Sequence, residues 1–340
     1  MNMRLPSSGL LPGSGLLMSL PEAIEAIQSG RYLSVAADES LLRQLPKGHW
    51  IGGSIPYFMG QAGGETTREK LFVSELPSFS PAPVIAWYDE ARLPRVAQEA
   101  PEHGLSILII PAFSDVHSLY ARKAPGYEDM YMKPLVGWIA GIHLDDLDRA
   151  APVVVNGETL AFSTDKALAM HIPLPESLYP RIDIVNLFKP GHGDTIRFPN
   201  TGFTVSECWV NERLVNFAQY LSDMAVDTRQ PLVADYSGAM INVSFKTVDA
   251  VAGQVDFYAP VFDDAVYRLA EPVPDFKKAF AQALPADTQA ANWSCNCILN
   301  YLYSALEGQQ TGNVTGPMTF GEVAYQLLNQ TMVYVTLETL

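Results

Sequence analysis

The sequence predicts an α+β protein of layered, antiparallel-rich sheets with helices on their outer faces. Three observations carry that expectation. Val153-Val154-Val155, Asn156-Gly157 and the run from Thr159 to Phe162 form a strong hairpin signal, because Asn-Gly accepts the positive φ angles of a type I′ turn. The stretch from Pro134 to Leu269 is dense in short β-prone runs. Helical spacing, by contrast, appears mainly towards the two ends of the chain.

In order along the chain, residues 1–18 are rich in Ser, Gly, Pro and Leu without periodicity and read as a loose arm. Ser19-Leu20-Pro21-Glu22 has the form of a capping box and Gly30 supplies a stop, which predicts a helix over Pro21 to Ser29. Tyr32 to Ala36 reads as a strand, Asp38 as the cap of a short helix ending near Leu45, and Lys70 to Leu76 as another strand. Leu105 to Ile110 is a continuous apolar run between Gly104 and Pro111, as in a strand buried on both faces. Val136 to Gly141 and Ala167 to Pro173 are further strands, and Pro173 to Pro190 reads as the boundary between halves. Beyond it, Thr204 to Val210, Gly238 to Val248, Gln254 to Ala259 and Ala265 to Leu269 are strand candidates. Leu214 to Met224, Asp275 to Ala283 and Cys297 to Glu307 carry helical spacing, and Met332 to Leu337 is a final strand. The expected organisation is an arm over 1–18, one domain over 19–180 and a second over 181–340.

A glycine cluster, a polar loop and an amphipathic strand recur at Gly52 to Leu76, Gly137 to Pro173 and Gly316 to Leu337. This recurrence points to a pseudo-duplicated scaffold whose loops gather at one site, where glycine lets backbone approach a ligand.

Composition narrows the function. The 340 residues are 48% hydrophobic and 17% charged, enough for a large interior. Lys+Arg 22 against Asp+Glu 37 leaves a net charge of −15, which disfavours nucleic acid and anionic membrane as partners. The early prolines and glycines interrupt any signal-peptide core, and three cysteines are too few for a disulfide scaffold, so the expected location is cytoplasmic. Cys295-x-Cys297 is spaced more tightly than zinc ligands usually are, so no metal or other cofactor is expected.

The candidate ligand-binding residues are Gly52, Gly53, Ser54, Gly137, Trp138, Cys295, Asn296, Gly321 and Glu322. Cys295 and Asn296 precede the helix expected from Cys297, and a helix start favours an anion. Glu322 could balance a cation and Trp138 could wall an apolar pocket, a set that suits an α-amino acid. Each also has a structural reading: Asn296 as a helix cap, Cys295 as a small buried residue, and Thr319-Phe320-Gly321-Glu322 as a capping box ahead of Phe320, Val323, Ala324 and Leu327 at helical spacing. No catalytic residue is assigned. The alternative is a Cys-dependent hydrolase or transferase, with Cys295 or Cys208 paired to His143, His171 or His192.

Several of these segments resemble the FIST sensory domain family. Ile51-Gly52-Gly53-Ser54 is similar to its first glycine-serine segment, and Leu135 to Gly141 with Asn156-Gly157 to its next block. Thr204-Val205 with Asn211-Glu212 resembles the opening of its C-terminal part. Ser294-Cys295-Asn296, Gly321-Glu322 and Asn329-Gln330-Thr331 resemble its closing motif. Trp138 departs from the pattern, which usually has a small residue there, and Pro77 to Gly104 has no counterpart. The resemblance implies an intracellular module that senses small molecules such as amino acids. No output domain fits in the chain, so the signal would pass to a separate signalling protein.

Overall fold

The computed structural model of the chain describes residues 15–236, 239–284, 291–312 and 314–339. Its body is built from one plan used three times. The body strands are numbered β1 to β18, and the strands of an inserted lobe are given by their residues. The first unit contains β1 (Leu16–Met18), β2 (Tyr32–Ala37), β3 (Trp50–Ser54), β4 (Tyr57–Gly60), β5 (Gly63–Thr66) and β6 (Leu71–Leu76). The second contains β7 (Val84–Tyr88), β8 (Gly104–Pro111), β9 (Leu135–Ala140), β10 (Val154–Asn156), β11 (Ala161–Ser163) and β12 (Ala167–Pro173). The third contains β13 (Leu178–Asn186), β14 (Trp293–Cys297), β15 (Gly316–Thr319), β16 (Glu322–Ala324), β17 (Gln326–Leu328) and β18 (Thr331–Thr339).

These strands form three six-stranded sheets, ordered β1-β6-β2-β3-β10-β11, β7-β12-β8-β9-β16-β17 and β13-β18-β14-β15-β4-β5. Each has a parallel pair at its centre (β2 with β3, β8 with β9, β14 with β15) and antiparallel neighbours on both sides. The hairpin that leaves each central pair crosses to the next sheet: β4-β5 joins β15, β10-β11 joins β3, and β16-β17 joins β9. The recurrence visible in the sequence is therefore a triplication, and the three units are interlocked by their exchanged hairpins.

The inner faces share one core. Ala36 and Ile51, Ile107, Ile109 and Trp138, and Trp293, Cys295, Val333 and Val335 meet in it. Helices cover the outer faces. α1 (Leu20–Gln28) and α2 (Glu39–Leu42) contribute Ala23, Ile27 and Leu42 against Val35 of the first sheet. α3 (Asp115–Lys123) packs Val116 and Tyr120 on Leu108 and Ile110 of the second. α4 (Phe276–Ala283) sets Phe280 against Val185 and Tyr334 of the third. The helix–strand plan follows from local signals: Glu22 closes a capping box on Ser19, and Asp38 and Asp275 accept amide hydrogens at the starts of α2 and α4.

Residues between β13 and α4 form the inserted lobe, whose core is its own. Phe198, Phe217, Phe245, Phe257 and Tyr267 are buried together there. A six-stranded sheet and a three-stranded sheet (Gly202–Val205, Gln254–Val261, Phe245–Asp249) enclose them with the helix Phe217–Asp223. The expected division at 19–180 and 181–340 falls inside β13 and splits the shared core, which draws residues from both sides of it. Exchanged hairpins bind the two halves, and the separately packed unit lies within the second half.

Several expected elements differ from those observed. Leu16–Met18 pairs with β6 instead of belonging to a loose arm, and residues 1–14 lie outside the described residues. Leu214 to Asn216 belong to a strand, with the helix starting at Phe217. The run expected from Gly238 to Val248 is two strands, Ala239–Val243 and Phe245–Asp249, and Gly238 itself lies outside the described residues. The hairpin at Asn156 is present, but its loop is four residues long: Asn156 pairs with Ala161, and its side chain accepts the amides of Glu158 and Thr159. Gly157 is needed for packing, since a Cβ there would lie 2.4 Å from the Trp50 indole.

Candidate functional site

All nine sequence-predicted residues are buried, and Ser54 alone among them lines one of the described cavities. Gly52 and Gly53 lie in β3, Gly137 and Trp138 in β9, and Glu322 opens β16 directly opposite Trp138. A Cβ on Gly53 would sit 2.7 Å from Trp138 Cη2, so the missing side chain makes room for the indole and for no ligand. Ser54 is a seam residue: its hydroxyl donates to the Gly141 carbonyl at 2.7 Å and accepts the Val153 amide at 2.9 Å. The Gly321 carbonyl accepts the amide of Ile139.

Cys295 and Asn296 are not at a helix start. They belong to β14, and α5 (Ile298–Tyr303) begins only after Cys297. The strand's alternation sends them to opposite faces. Cys295 donates to the Gly137 carbonyl at 3.4 Å inside the shared core, whereas Asn296 Oδ1 accepts from Asn300 Nδ2 at 2.9 Å. The segment after Glu322 is likewise no helix. β16 and β17 form a tight hairpin turned by Tyr325 at φ 64°, because pairing with β9 outweighs the helical spacing.

Glu322 is fully buried. One carboxylate oxygen accepts from the Thr331 hydroxyl at 2.6 Å and the other has no partner, as Trp138 Nε1 also has none. Burial raises its pKa to about 8, against the opposing effect of the Thr331 and Cys297 hydrogen bonds. Burial also pushes the Cys295 and Cys297 thiols well above their ordinary value, and Cys208 to about 12. A thiol nucleophile needs the opposite shift. None of the described cavities is lined by Trp138, Cys295, Asn296 or Glu322.

Open space lies instead beyond the carboxyl ends of the central parallel pairs, where the inserted lobe approaches the body. Two adjoining cavities of about 310 and 480 Å³ share Phe113, Lys246, Tyr258 and Phe320. Phe113 follows β8 and Phe320 follows β15, while Lys246 and Tyr258 come from the lobe's three-stranded sheet. Ligands of open α/β sheets bind at the equivalent strand ends, because the loops there are free to vary. Phe113 is 55% exposed and held at φ 65°, a conformation costly for an aromatic residue. Its ring meets Phe320 edge-on at 5.9 Å, and Lys246 Nζ stands 5.4 Å above it. Leu147 and Leu302 are exposed beside them.

The polar groups are few and directional. Lys246 forms no ion pair among the described residues. Asp256, across the cleft, already accepts from Thr204 and Thr247, which hold its carboxyl below the usual range. His117 in α3 borders the smaller cavity; burial lowers its pKa to about 4, so it is neutral there. The lobe is fastened beside this cleft by the Asn329-Gln330-Thr331 segment. Asn242 donates to the Asn329 carbonyl, and Gln330 bridges the Ser244 hydroxyl and the Arg229 carbonyl.

Sequence reasoning missed Phe113, Lys246 and Tyr258 and treated Phe320 as helix-forming. One signal was available: Ala112-Phe113-Ser114-Asp115 directly follows a doubly buried strand and caps a helix. Among known proteins, the profile of a family of unknown function, DUF6976, matches residues 18–338. No curated protein matches the chain. That match lends the FIST resemblance no support.

Proposed function

The chain belongs to this family of unknown function, and from that premise we propose that it is a small-ligand sensing protein whose ligand binds in the cleft between body and inserted lobe. The ligand is an anion with an aromatic or apolar body. The observation that carries this reading is the cleft's composition: Phe113, Phe320, Tyr258 and Leu302 around Lys246, whose ammonium forms no salt bridge among the described residues although Asp148 and Asp256 also line the two cavities. Apolar walls with a few placed polar groups are the usual make-up of a small-molecule site. An aromatic carboxylate satisfies both parts, and an aromatic amino acid is a member of that class. Because walls come from both lobe and body, occupancy would alter how the lobe sits, and a separate protein could read that change.

A thermal-shift screen of aromatic and aliphatic carboxylates tests the reading. A ligand at a hundred times its dissociation constant should add about 2.7 kcal/mol of stability. The response should vanish in Lys246→Met while that variant's own melting temperature stays near wild type. A flat response across the screen, or one indifferent to Lys246, would remove the proposal.

A further inference from the structure

A third cavity, of about 620 Å³, opens on the other side of α5, between the lobe's Asp227–Gln230 segment and the start of α4. Its chemistry differs from that of the Lys246 cleft. Asn300 in α5 is 2% exposed, and its amide nitrogen donates to Asn296 Oδ1 at 2.9 Å and to the Thr331 carbonyl at 3.4 Å. These two acceptors fix the amide's orientation and leave its carbonyl oxygen buried without a donor, in a residue that lines the cavity. Gln230 Oε1, on the opposing segment, is likewise buried and without a donor. Two orphaned acceptors on residues that line one cavity call for a ligand rich in O–H or N–H groups, since an unmet buried acceptor is costly.

The charged groups around the cavity are hydrogen-bonded, and two of them form an ion pair. Asp227 and Arg229 are paired at 2.7 Å, Asp275 caps α4 by accepting the Lys278 amide, and Lys277 Nζ donates to Gln309. The charged lining residues balance, Asp227 and Asp275 against Arg229 and Lys277, so the wall carries no net charge to select an anion or a cation. Phe188, Phe276 and Tyr303 add apolar ring surface to the same wall. We propose that this cavity binds a neutral, polyhydroxylated ligand of mono- or disaccharide size. Its hydroxyls would donate to Asn300 and Gln230, and its C–H face would pack on the rings. Asn296, which the sequence marks out as a ligand residue, acts in this site as a positioning residue by aiming the Asn300 amide. The proposal goes beyond the carboxylate cleft and does not depend on it.

Titration calorimetry of the full chain with a panel of neutral hexoses and disaccharides tests it, with nucleosides and aromatic carboxylates as comparators. At least one sugar should give saturable binding in the millimolar range or tighter. Gln230→Met and Phe276→Ala, both partly exposed positions outside the Lys246 cleft, should weaken that binding about tenfold or more without changing any carboxylate response lost in Lys246→Met. Asn300→Leu should abolish it, with the rim variants standing as the test if that substitution unfolds the chain. No saturable sugar binding at about 10 mM would overturn the proposal, as would binding indifferent to Gln230 and Phe276. Nucleosides competing out the sugar would refute the assigned class.

Discussion

The centre of the three-sheet body and the cleft at its end hold comparable chemical groups and use them differently. At the centre, Glu322, Trp138 and Cys295 are buried, and none of the described cavities reaches them. At the end, Lys246, Phe113 and Tyr258 face a volume that the protein leaves empty. The same residue types therefore mean different things according to what surrounds them. A carboxylate in a dry core titrates late and ties strands together, whereas a charge over an open aromatic floor is available to a ligand.

The largest expected effect is at the centre. Gly53→Ala drives a methyl to 2.7 Å from Trp138 and 2.8 Å from Ile109. Overpacking of this kind costs about 1–3 kcal/mol, with Gly53→Val worse. Trp138→Phe gives back space at the same contact, so the double variant should be more stable than the sum of the singles by about 1 kcal/mol. Urea unfolding of the four proteins reads this directly. Strict additivity would mean that glycine and indole do not share the volume, and the description of the centre as filled would be wrong.

The next effect is a pH dependence. The folded pKa of Glu322, about 8, lies above the ordinary carboxylate value of 4.5. Between those values the folded protein keeps a proton that the unfolded chain has released. The stability contributed by this group is therefore complete below about 4.5 and is lost as pH rises towards 8, at most about 1.4 kcal/mol per pH unit. Glu322→Gln, neutral throughout, should lack that fall and exceed wild type most at the alkaline end. Equal slopes in the two proteins from about pH 5 to pH 8 would show that the carboxylate is hydrated and the centre is not dry.

How much was legible in advance follows from the same contrast. Buried strands such as Gly104–Pro111 and Ala167–Pro173 announce themselves through apolar runs and flanking turn residues, because burial on both faces leaves no other composition. The threefold recurrence was visible as glycine clusters ahead of amphipathic strands. Hairpin exchange was not, since it depends on pairing between distant segments such as Glu322 and Trp138. Helical spacing over Phe320 to Leu328 misled for the same reason: tertiary pairing decides short segments. The site residues chosen from sequence were neighbours in space, yet adjacency to glycine marked close packing of sheets. Whether a close approach encloses a cavity depends on the side chain that arrives opposite, and Trp138 fills what Gly53 leaves.

The smallest expected effect sharpens the cleft's side of the comparison. Phe113 holds φ 65° with its ring more than half exposed, a conformation that glycine adopts freely and an aromatic residue does not. Its strain is offset by an edge-on contact with Phe320 and by its amide donating to His117 Nδ1. Replacing it with glycine relieves the strain, worth about 1–2 kcal/mol, and gives back part of that gain in lost ring contact and added chain entropy. Phe113→Gly should therefore be as stable as wild type or up to about 1 kcal/mol more stable, while binding carboxylate ligands at least tenfold more weakly. Denaturant midpoints and ligand titration on the one variant separate the two outcomes. A clear loss of stability would make Phe113 a structural residue like Trp138, and the distinction between a filled centre and an end cleft shaped for a ligand would then lose its strongest support.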